Sequence, residues 1–353
     1  MNSMHPIGKV SKNFLEKVIL SKLGATRPEI LSNPRYGTDT GAIKISEKKI
    51  MVFCTDPISI IPSLGLIDSG WLSAHMLAND FITSGLSPEY ATLNFNLPPK
   101  ITNEDFKIYW ESLIKEFNNL EISVVSGHTG RYIGCDYSII GAGTIMGIGK
   151  EDHYIDASMA RTGDSIIITK GIAIEATSIL AKSFPNIIAE KIGKSIVTKA
   201  QNTFHDCAVI QDASIASSIG VRDNGVTTMH DATEGGLYGG LTELASASSK
   251  GLQIEKNNIP LSNEAKKICT LFGLDPYTTL SSGTIIITVK PEKEIELINT
   301  LKSKGIISSI IGKVTSQTEG CYLKGEGTKK PLNASNKDQY WEAFWSAYKQ
   351  GWT

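Results

Sequence analysis

The stretch Val226-Thr-Thr-Met-His-Asp-Ala-Thr-Glu-Gly-Gly-Leu237 carries a β-forming run, a polar turn and the start of a helix. Gly235 and Gly236 allow backbone N–H groups to approach a ligand closely, and a helix N-terminus carries partial positive charge. Asp231 precedes the turn, where a carboxylate can hold a divalent cation against phosphates. An ordinary strand-to-helix connection explains the same residues, because the stretch matches neither a P-loop nor the GxGxxG fingerprint. Both interpretations stay open on this stretch alone.

Composition limits the class of protein to which the chain belongs. The 353 residues favour two domains, and a hydrophobic content of 41% with a charged content of 20% suits a globular core. A formal net charge of −1 offers no basic field for nucleic acid or a membrane surface. The five cysteines are scattered without a CxxC pair, which favours a reducing compartment. We therefore expect a cytoplasmic protein that binds neither nucleic acid nor a membrane.

Further acidic positions occur earlier in the chain. Asp39 lies in the segment Gly37-Thr-Asp-Thr-Gly41, and Asp56 follows an apolar run and precedes Pro57. Asn79 and Asp80 fall in the middle of a predicted helix with apolar neighbours, where neither residue is a good helix former. Each of these residues alone is more often a turn, cap or solvated residue. Together they fit magnesium–nucleotide chemistry better than redox or zinc chemistry.

The segment Ser126-Gly-His-Thr-Gly-Arg131 is predicted to be a second glycine-flanked turn, following a buried strand from Ile122 to Val125. The guanidinium group of Arg131 suits bidentate contact with phosphate. His128 offers a cation ligand, an acid–base group or a phosphate donor, although a histidine in a loop is commonly no more than polar.

Strands alternate with helices in both halves of the chain, which predicts an α/β (α+β) protein. The polar, irregular segment near residues 149–162 is the best boundary. We assign residues 1–152 to an N-terminal domain with a mixed sheet and helices. Residues 153–353 form a C-terminal α/β domain that ends in an aromatic-rich helix.

The order and spacing of these motifs resemble the aminoimidazole ribonucleotide (AIR) synthase superfamily. Its members include AIR synthase, the hydrogenase-maturation dehydratase HypE, selenophosphate synthetase and thiamine-monophosphate kinase. The matching motifs are Gly37-Thr-Asp39, Thr55-Asp56, Asn79-Asp80, Gly127-His-Thr129 and the segment from His230 to Gly236.

The resemblance implies a homodimer formed through the N-terminal sheet, with ATP and Mg²⁺ bound by glycine-rich and acidic loops. Phosphate would pass from ATP to an oxygen, of amide or carboxamide type, on a small molecule or carrier. The residues that the resemblance and the motifs together assign are the metal ligands Asp39, Asp56, Asp80 and Asp231, the nucleotide-binding residues Asn79, Gly127, Thr129, Arg131, Gly235 and Gly236, and the catalytic residues His128 and Asp231.

Several departures from the family pattern leave the reaction open. The chain ends Gln350-Gly-Trp-Thr353, without the terminal cysteine of HypE-type proteins, and Cys54, inside an apolar run, is interpreted as an inert buried thiol. Thr38 stands where kinase and HypE relatives commonly carry a second aspartate, and AIR synthases usually carry an acidic residue at the position of His128. An ATP-dependent enzyme and a non-catalytic ATP-binding protein of the same fold both remain possible.

Overall fold

The computed structural model describes residues 7–325, 327–334 and 337–353. The chain divides into two compact units. The first unit comprises Glu29–Asn33 and Asp39–Tyr154, and the second comprises residues 7–28, Pro34–Thr38 and residues 155–353. The sequence analysis placed residues 7–28 in the N-terminal domain, whereas their contacts are with the second unit.

The described chain begins with a short helix and then a π-helical turn, α1 (Lys12–Phe14) and Leu15–Ile19. Ser11 caps α1, since its hydroxyl accepts a hydrogen bond from the Phe14 backbone at 3.3 Å. The apolar side chains of this segment are not buried, because Phe14, Val18 and Leu23 are each about half exposed.

The first unit is a six-stranded sheet with two helices, in the spatial order β1-β2-β3-β6-β4-β5. All neighbouring pairs are antiparallel except β4 with β5. Buried side chains of α2, α3 and the sheet, including Leu77, Phe81, Phe95 and Tyr109, form its core. The elements are β1 (Ile30–Ser32), β2 (Gly41–Lys44), β3 (Lys49–Ile60), α2 (Leu66–Ile82), β4 (Tyr90–Leu97), α3 (Asn103–Asn119), β5 (Ser123–Arg131) and β6 (Ser138–Lys150).

Strand β3 continues through Asp56 and Pro57, so the strand end predicted before Asp56 is wrong. Proline cannot donate a ladder hydrogen bond and is confined to positions where one side of a strand is unpaired. That condition holds here, because β2 pairs with β3 only as far as Phe53 while β6 accompanies β3 to Ile60.

The second unit is a seven-stranded, mainly antiparallel sheet with helices, in the order β13-β12-β9-β11-β7-β10-β8. Its core includes the wholly buried strands β7, β8 and β10. The elements are β7 (Ser165–Thr169), α4 (Ile174–Ser183), α5 (Pro185–Ile192), α6 (Lys194–Asn202), α7 (Ile210–Ser218), β8 (Val226–Asp231), α8 (Gly236–Ser248), β9 (Gly251–Glu255), α9 (Asn263–Phe272), β10 (Ile285–Val289), α10 (Glu294–Ser303), β11 (Ser308–Thr315), β12 (Cys321–Gly325), β13 (Thr328–Pro331) and α11 (Tyr340–Lys349).

The aromatic C-terminal helix is confirmed as α11, with Tyr340 and Phe344 fully buried. Among the described residues, no helix combines the length and apolar character needed to cross a membrane.

Candidate functional site

The three predicted metal ligands that belong to the first unit all act electrostatically on one buried thiol, that of Cys54. Burial raises the pKa of Cys54 well above its usual value, and the negative charges of Asp80, Asp56 and Asp39 raise it further. The thiol donates to the carbonyl oxygen of Leu77 at 3.5 Å. Residues far apart along the chain therefore converge here, and the interpretation of Cys54 as an unreactive thiol is supported.

Local geometry explains the convergence of Asp39, Asp56 and Asp80. Asp56 follows Cys54 by two residues on β3, so both side chains point to the same face of the sheet. Asp80 stands about one helical turn beyond Leu77 on α2, the helix that packs on this strand. Asp39 comes just before β2, whose first residue, Gly41, pairs with Phe53.

All three aspartates are partly buried, and Asn79 beside Asp80 is completely buried. Carboxylate oxygens are the hard ligands that Mg²⁺ prefers. The residue types present therefore fit the cation that the resemblance implies. This fit rests on the chemistry of the donor set, since the three carboxylates are not a group with all ligand atoms within 4.8 Å of one another among the described residues.

The predicted turn from Gly127 to Arg131 is wrong, because these residues belong to strand β5. The strand pairs in parallel with β4, and His128 stands opposite Asn94. Gly127 is needed for this pairing, since a Cβ atom at that position would lie 2.5 Å from the Leu93 carbonyl oxygen. A strand does lie at the position predicted before this turn, but the prediction that it is buried is wrong. Strand β5 is largely exposed at the edge of the sheet.

The polar side chains of β5 have partners within the protein. His128 Nε2 lies 2.6 Å from the Tyr132 hydroxyl. The Arg131 guanidinium donates to the carbonyl oxygen of Ile101 at 3.1 Å and to Asn103 Oδ1 at 2.7 Å. A phosphate contact through Arg131 would compete with these two hydrogen bonds, and the binding roles of Thr129 and Arg131 stay predictions.

In the second unit, His230 and Asp231 are the last two residues of β8, as the sequence predicted, and both are almost completely buried. His230 Nε2 lies 3.0 Å from Glu243 Oε2 on α8. Burial alone would raise the pKa of Glu243, but the hydrogen bond from His230 and the charge of Lys9 outweigh it, so the net effect is a lowered pKa. The ammonium group of Lys9 lies 3.7 Å from the other oxygen of Glu243.

The backbone N–H groups at the start of α8 already have hydrogen-bond acceptors within the protein. The Gly235 N–H donates to Asp338 Oδ2 at 3.1 Å, and the Gly236 N–H donates to the Thr233 carbonyl at 3.0 Å. Burial raises the pKa of the Asp338 carboxyl, although its hydrogen bonds from the backbones of Tyr340 and Gly235 oppose the shift. The anion-binding role predicted for the two glycines would require a phosphate to compete with Asp338.

Sequence reasoning missed several buried charged residues of the second unit. Glu243 is the single charged residue of α8, and a charge in an otherwise apolar or small-residue helix was a readable signal. Glu175 is also buried, and its carboxyl receives hydrogen bonds from Ser282. No sequence pattern linked Asp338 with Gly235, since 103 positions separate them.

Comparison with known proteins gives matches along most of the chain. Residues 37–148 match the AIR synthase related protein N-terminal domain, and residues 161–323 match its C-terminal domain. A putative hydrogenase expression/formation protein of Methanocaldococcus jannaschii is 26% identical, over 90% of this chain and 91% of its own length. A carbamoyl dehydratase HypE of Cupriavidus necator is 28% identical, over 71% of this chain and 69% of its own.

Among solved structures, a hydrogenase maturation protein HypE in complex with ATP superposes with a TM-score of 0.65 at 19% identity. The match covers 93% of this chain and 95% of that one, and at this identity it establishes the fold. With both domains matched in order and HypE proteins among its relatives, the chain belongs to the AIR synthase related family and is HypE-like.

Proposed function

We propose that this protein is an ATP- and Mg²⁺-dependent enzyme that phosphorylates an amide- or carboxamide-type oxygen of a small molecule or carrier. The observation that carries the proposal is that Asp39, Asp56 and Asp80, from separate parts of the chain, all lie near enough to Cys54 for their charges to raise the pKa of its thiol. Family membership supports it, because relatives include carbamoyl dehydratases and a HypE solved with ATP.

In this proposal Asp39, Asp56 and Asp80 hold Mg²⁺, and the cation neutralises phosphate charge when ATP is bound. The contribution of the chain is orientation and electrostatics. Strand β3 and helix α2 place two of the carboxylates on packed elements, which limits their movement. Asn79, completely buried beside Asp80, is assigned to the nucleotide border.

A non-catalytic ATP-binding protein of the same fold is the second candidate. A specific observation favours it, because two groups predicted to contact phosphate already have partners within the protein. Arg131 donates to Ile101 and Asn103, and the Gly235 N–H donates to Asp338.

Nucleotide binding is tested first, by thermal unfolding of the full chain with a non-hydrolysable ATP analogue, with and without Mg²⁺. A ligand that binds only the folded state at 100 times its Kd adds about 2.7 kcal/mol of stability. We expect stabilisation that depends on Mg²⁺ and is lost in Asp56→Asn and Asp80→Asn. Asp152→Asn is the matched control, because the Asp152 side chain is 77% exposed. Undiminished stabilisation of both site variants would overturn the assignment of the cation site.

Catalysis is tested by ADP release against a panel of amide and carboxamide acceptors. If the protein is the proposed enzyme, we expect ADP release that depends on the acceptor and is lost in Asp56→Asn. Nucleotide binding without ADP release on any acceptor would favour the non-catalytic protein instead. The role predicted for Asp231 is tested in the same assay with Asp231→Asn.

The same proposal includes a homodimer formed through the sheet of the first unit, as the family resemblance implies. Strand β5 supports it, because this strand ends the sheet and leaves the apolar side chains Val124 and Val125 exposed. An uncovered edge of nine residues offers unpaired backbone groups to another chain.

A further inference from the structure

A cavity of about 490 Å³ lies entirely within the second unit. The loop after β7, the first turns of α4, α7 and α9, and the turn between α10 and β11 surround it. Its volume falls within the range of small-molecule sites in proteins. None of the residues predicted to bind nucleotide, metal or acceptor lines it.

One part of the lining donates hydrogen bonds and carries positive charge. Helix α4 begins here without a side-chain cap and is long enough to place partial positive charge at its start. The side chain of Lys304 stands exposed in the turn before β11. This part of the cavity suits an anionic group such as a carboxylate.

Another part of the lining carries two carboxylates, the ammonium group of Lys170 and the side chain of His205. Asp212 is 3% exposed, and Lys170 Nζ lies 3.2 Å from each of its oxygens. The geometry makes a hydrogen bond to Oδ2 only, which leaves Oδ1 with an ion-pair contact but no hydrogen bond among the described residues. Asp206 lies nearby, and burial and the charge of Asp212 both raise the pKa of its carboxyl against the opposing charges of Lys170 and His205. One carboxylate therefore remains uncompensated by Lys170, which suits a ligand ammonium group.

The backbone holds Lys170 in a conformation that costs energy. Its φ of 61° lies in the left-handed region, which strains a residue other than glycine. The Lys170 N–H donates to the Ile307 carbonyl at 2.7 Å, and its ammonium group also donates to the Ala208 carbonyl at 2.6 Å. The strained residue thus fixes the cation beside Asp212 and ties together the loop after β7 and the start of α7.

The rest of the lining includes an apolar wall. Ile172, Ile174 and Ile306 are buried and border the cavity, together with Ala265 at the start of α9. Such a wall accommodates an aliphatic or aromatic group rather than a second charged one.

We propose that this cavity binds an amino-acid-like zwitterion with an apolar side chain. The ammonium group of the ligand pairs with Asp206 and Asp212, its carboxylate with Lys304 and the start of α4, and its side chain with the isoleucine wall. A purely anionic ligand leaves the acidic part unpaired, and a simple amine leaves the basic part unpaired.

The test is isothermal titration of the full chain with L-leucine and L-phenylalanine. Each is compared with the amine that lacks its carboxylate (isopentylamine, phenethylamine) and the acid that lacks its amine (4-methylpentanoate, 3-phenylpropanoate). We expect at least one amino acid to bind, with a Kd at least tenfold lower than those of its two analogues. Failure of both amino acids to bind at millimolar concentration, or equal binding of either analogue, would overturn the proposal.

Substitutions then locate the ligand. Asp206→Asn and Lys304→Gln change accessible side chains and leave the buried Lys170–Asp212 pair intact, so their melting temperatures should stay close to wild type. Each should raise the Kd at least tenfold. The matched controls are Asp223→Asn and Lys302→Gln, which remove exposed charges outside the cavity. Unchanged affinity in both cavity variants would place the ligand elsewhere. The titration contains no ATP, so its outcome is independent of the proposed phosphoryl transfer.

Discussion

Glu175, at the start of α4, carries a carboxyl group inside the second unit. Its side chain is wholly buried, and its Oε2 atom makes no hydrogen bond within the described part of the chain. Burial raises the pKa of this group to about 7, and the charges of Asp338 and Asp231 act in the same direction, while hydrogen bonds from Ser282 oppose them. The buried side chains of Tyr340 and Cys207 also face this carboxyl.

The raised pKa predicts a pH-dependent stability. The folded protein holds the Glu175 proton more tightly than the unfolded chain, so the free energy of unfolding falls as pH rises from 4.5 to about 7. Over this pH interval the free energy of unfolding falls by about 3 kcal/mol, because each pH unit between the two pKa values contributes about 1.36 kcal/mol. Glu175→Gln removes this titration, and we expect the variant to gain that amount relative to wild type between pH 4.5 and pH 8. Chemical unfolding at several pH values measures it.

The matched control for Glu175 is Glu190→Gln on α5, whose side chain is 67% exposed. It should follow the wild-type pH profile. A stability difference between Glu175→Gln and wild type that stays constant with pH would show that the carboxyl is ionised normally in the folded protein.

At the scale of elements, the start of α8 depends on glycine for a packing reason. Gly236 has φ of +63°, and a Cβ atom there would lie 2.6 Å from the Thr279 carbonyl and 2.8 Å from that of Tyr277. Gly235 has φ of +85°, but its nearest contact would be an ordinary 3.4 Å to Gly239 Cα. Comparing alanine substitutions at Gly235 and Gly236 therefore separates the cost of backbone strain from the cost of steric overlap.

We expect Gly236→Ala to lower the free energy of unfolding by more than about 4 kcal/mol, because the carbonyls of the facing loop must move. Gly235→Ala should cost only about 1–2 kcal/mol, the usual penalty for a left-handed alanine. Urea unfolding of the two variants measures both values. Equal losses would mean that the Tyr277–Thr279 loop adapts without cost.

Helix α3 begins with the capping box that its sequence predicted. The Thr102 hydroxyl accepts from the Asp105 backbone at 3.0 Å, and Asp105 Oδ2 accepts from the Thr102 backbone at 3.3 Å. Thr102→Ala should destabilise the protein by about 1 kcal/mol, whereas Thr102→Ser keeps the acceptor and should stay close to wild type. Urea midpoints distinguish these results, and a neutral alanine variant would mean that water replaces the cap.

At the scale of the whole molecule, the exposed edge strand predicts self-association. We expect light scattering of the full chain to give twice the mass of one chain. Val125→Glu places a charge on β5, where Val125 is 57% exposed, and should shift the protein to monomer. Ile295→Glu on α10 is the matched control, because Ile295 is 61% exposed and lies outside the sheet of the first unit. A monomeric wild-type chain would exclude the proposed dimer.

Much of the fold could be predicted because its signals are local. The alternation of strand-forming and helix-forming segments predicted an α/β protein, and the order of the motifs predicted the family. The predicted turn at Gly127 failed because a glycine needed for close strand packing has the same sequence signature as a glycine in a turn. Helices α5 and α6 were missed because no cap or long apolar stripe marks them.

The sequence by itself determined the alternation of strands and helices, the motifs that carry the acidic residues, and the identity of the residues that could hold a cation. Only the tertiary structure decided that the charges of Asp39, Asp56 and Asp80 all act on Cys54, and that Asp338 accepts a hydrogen bond from the start of α8. Periodicity and capping act over a few residues, so they can be read along the chain. Convergence depends on strand order and on which side chains compete for the same backbone donors, and these contacts join positions that are far apart in sequence.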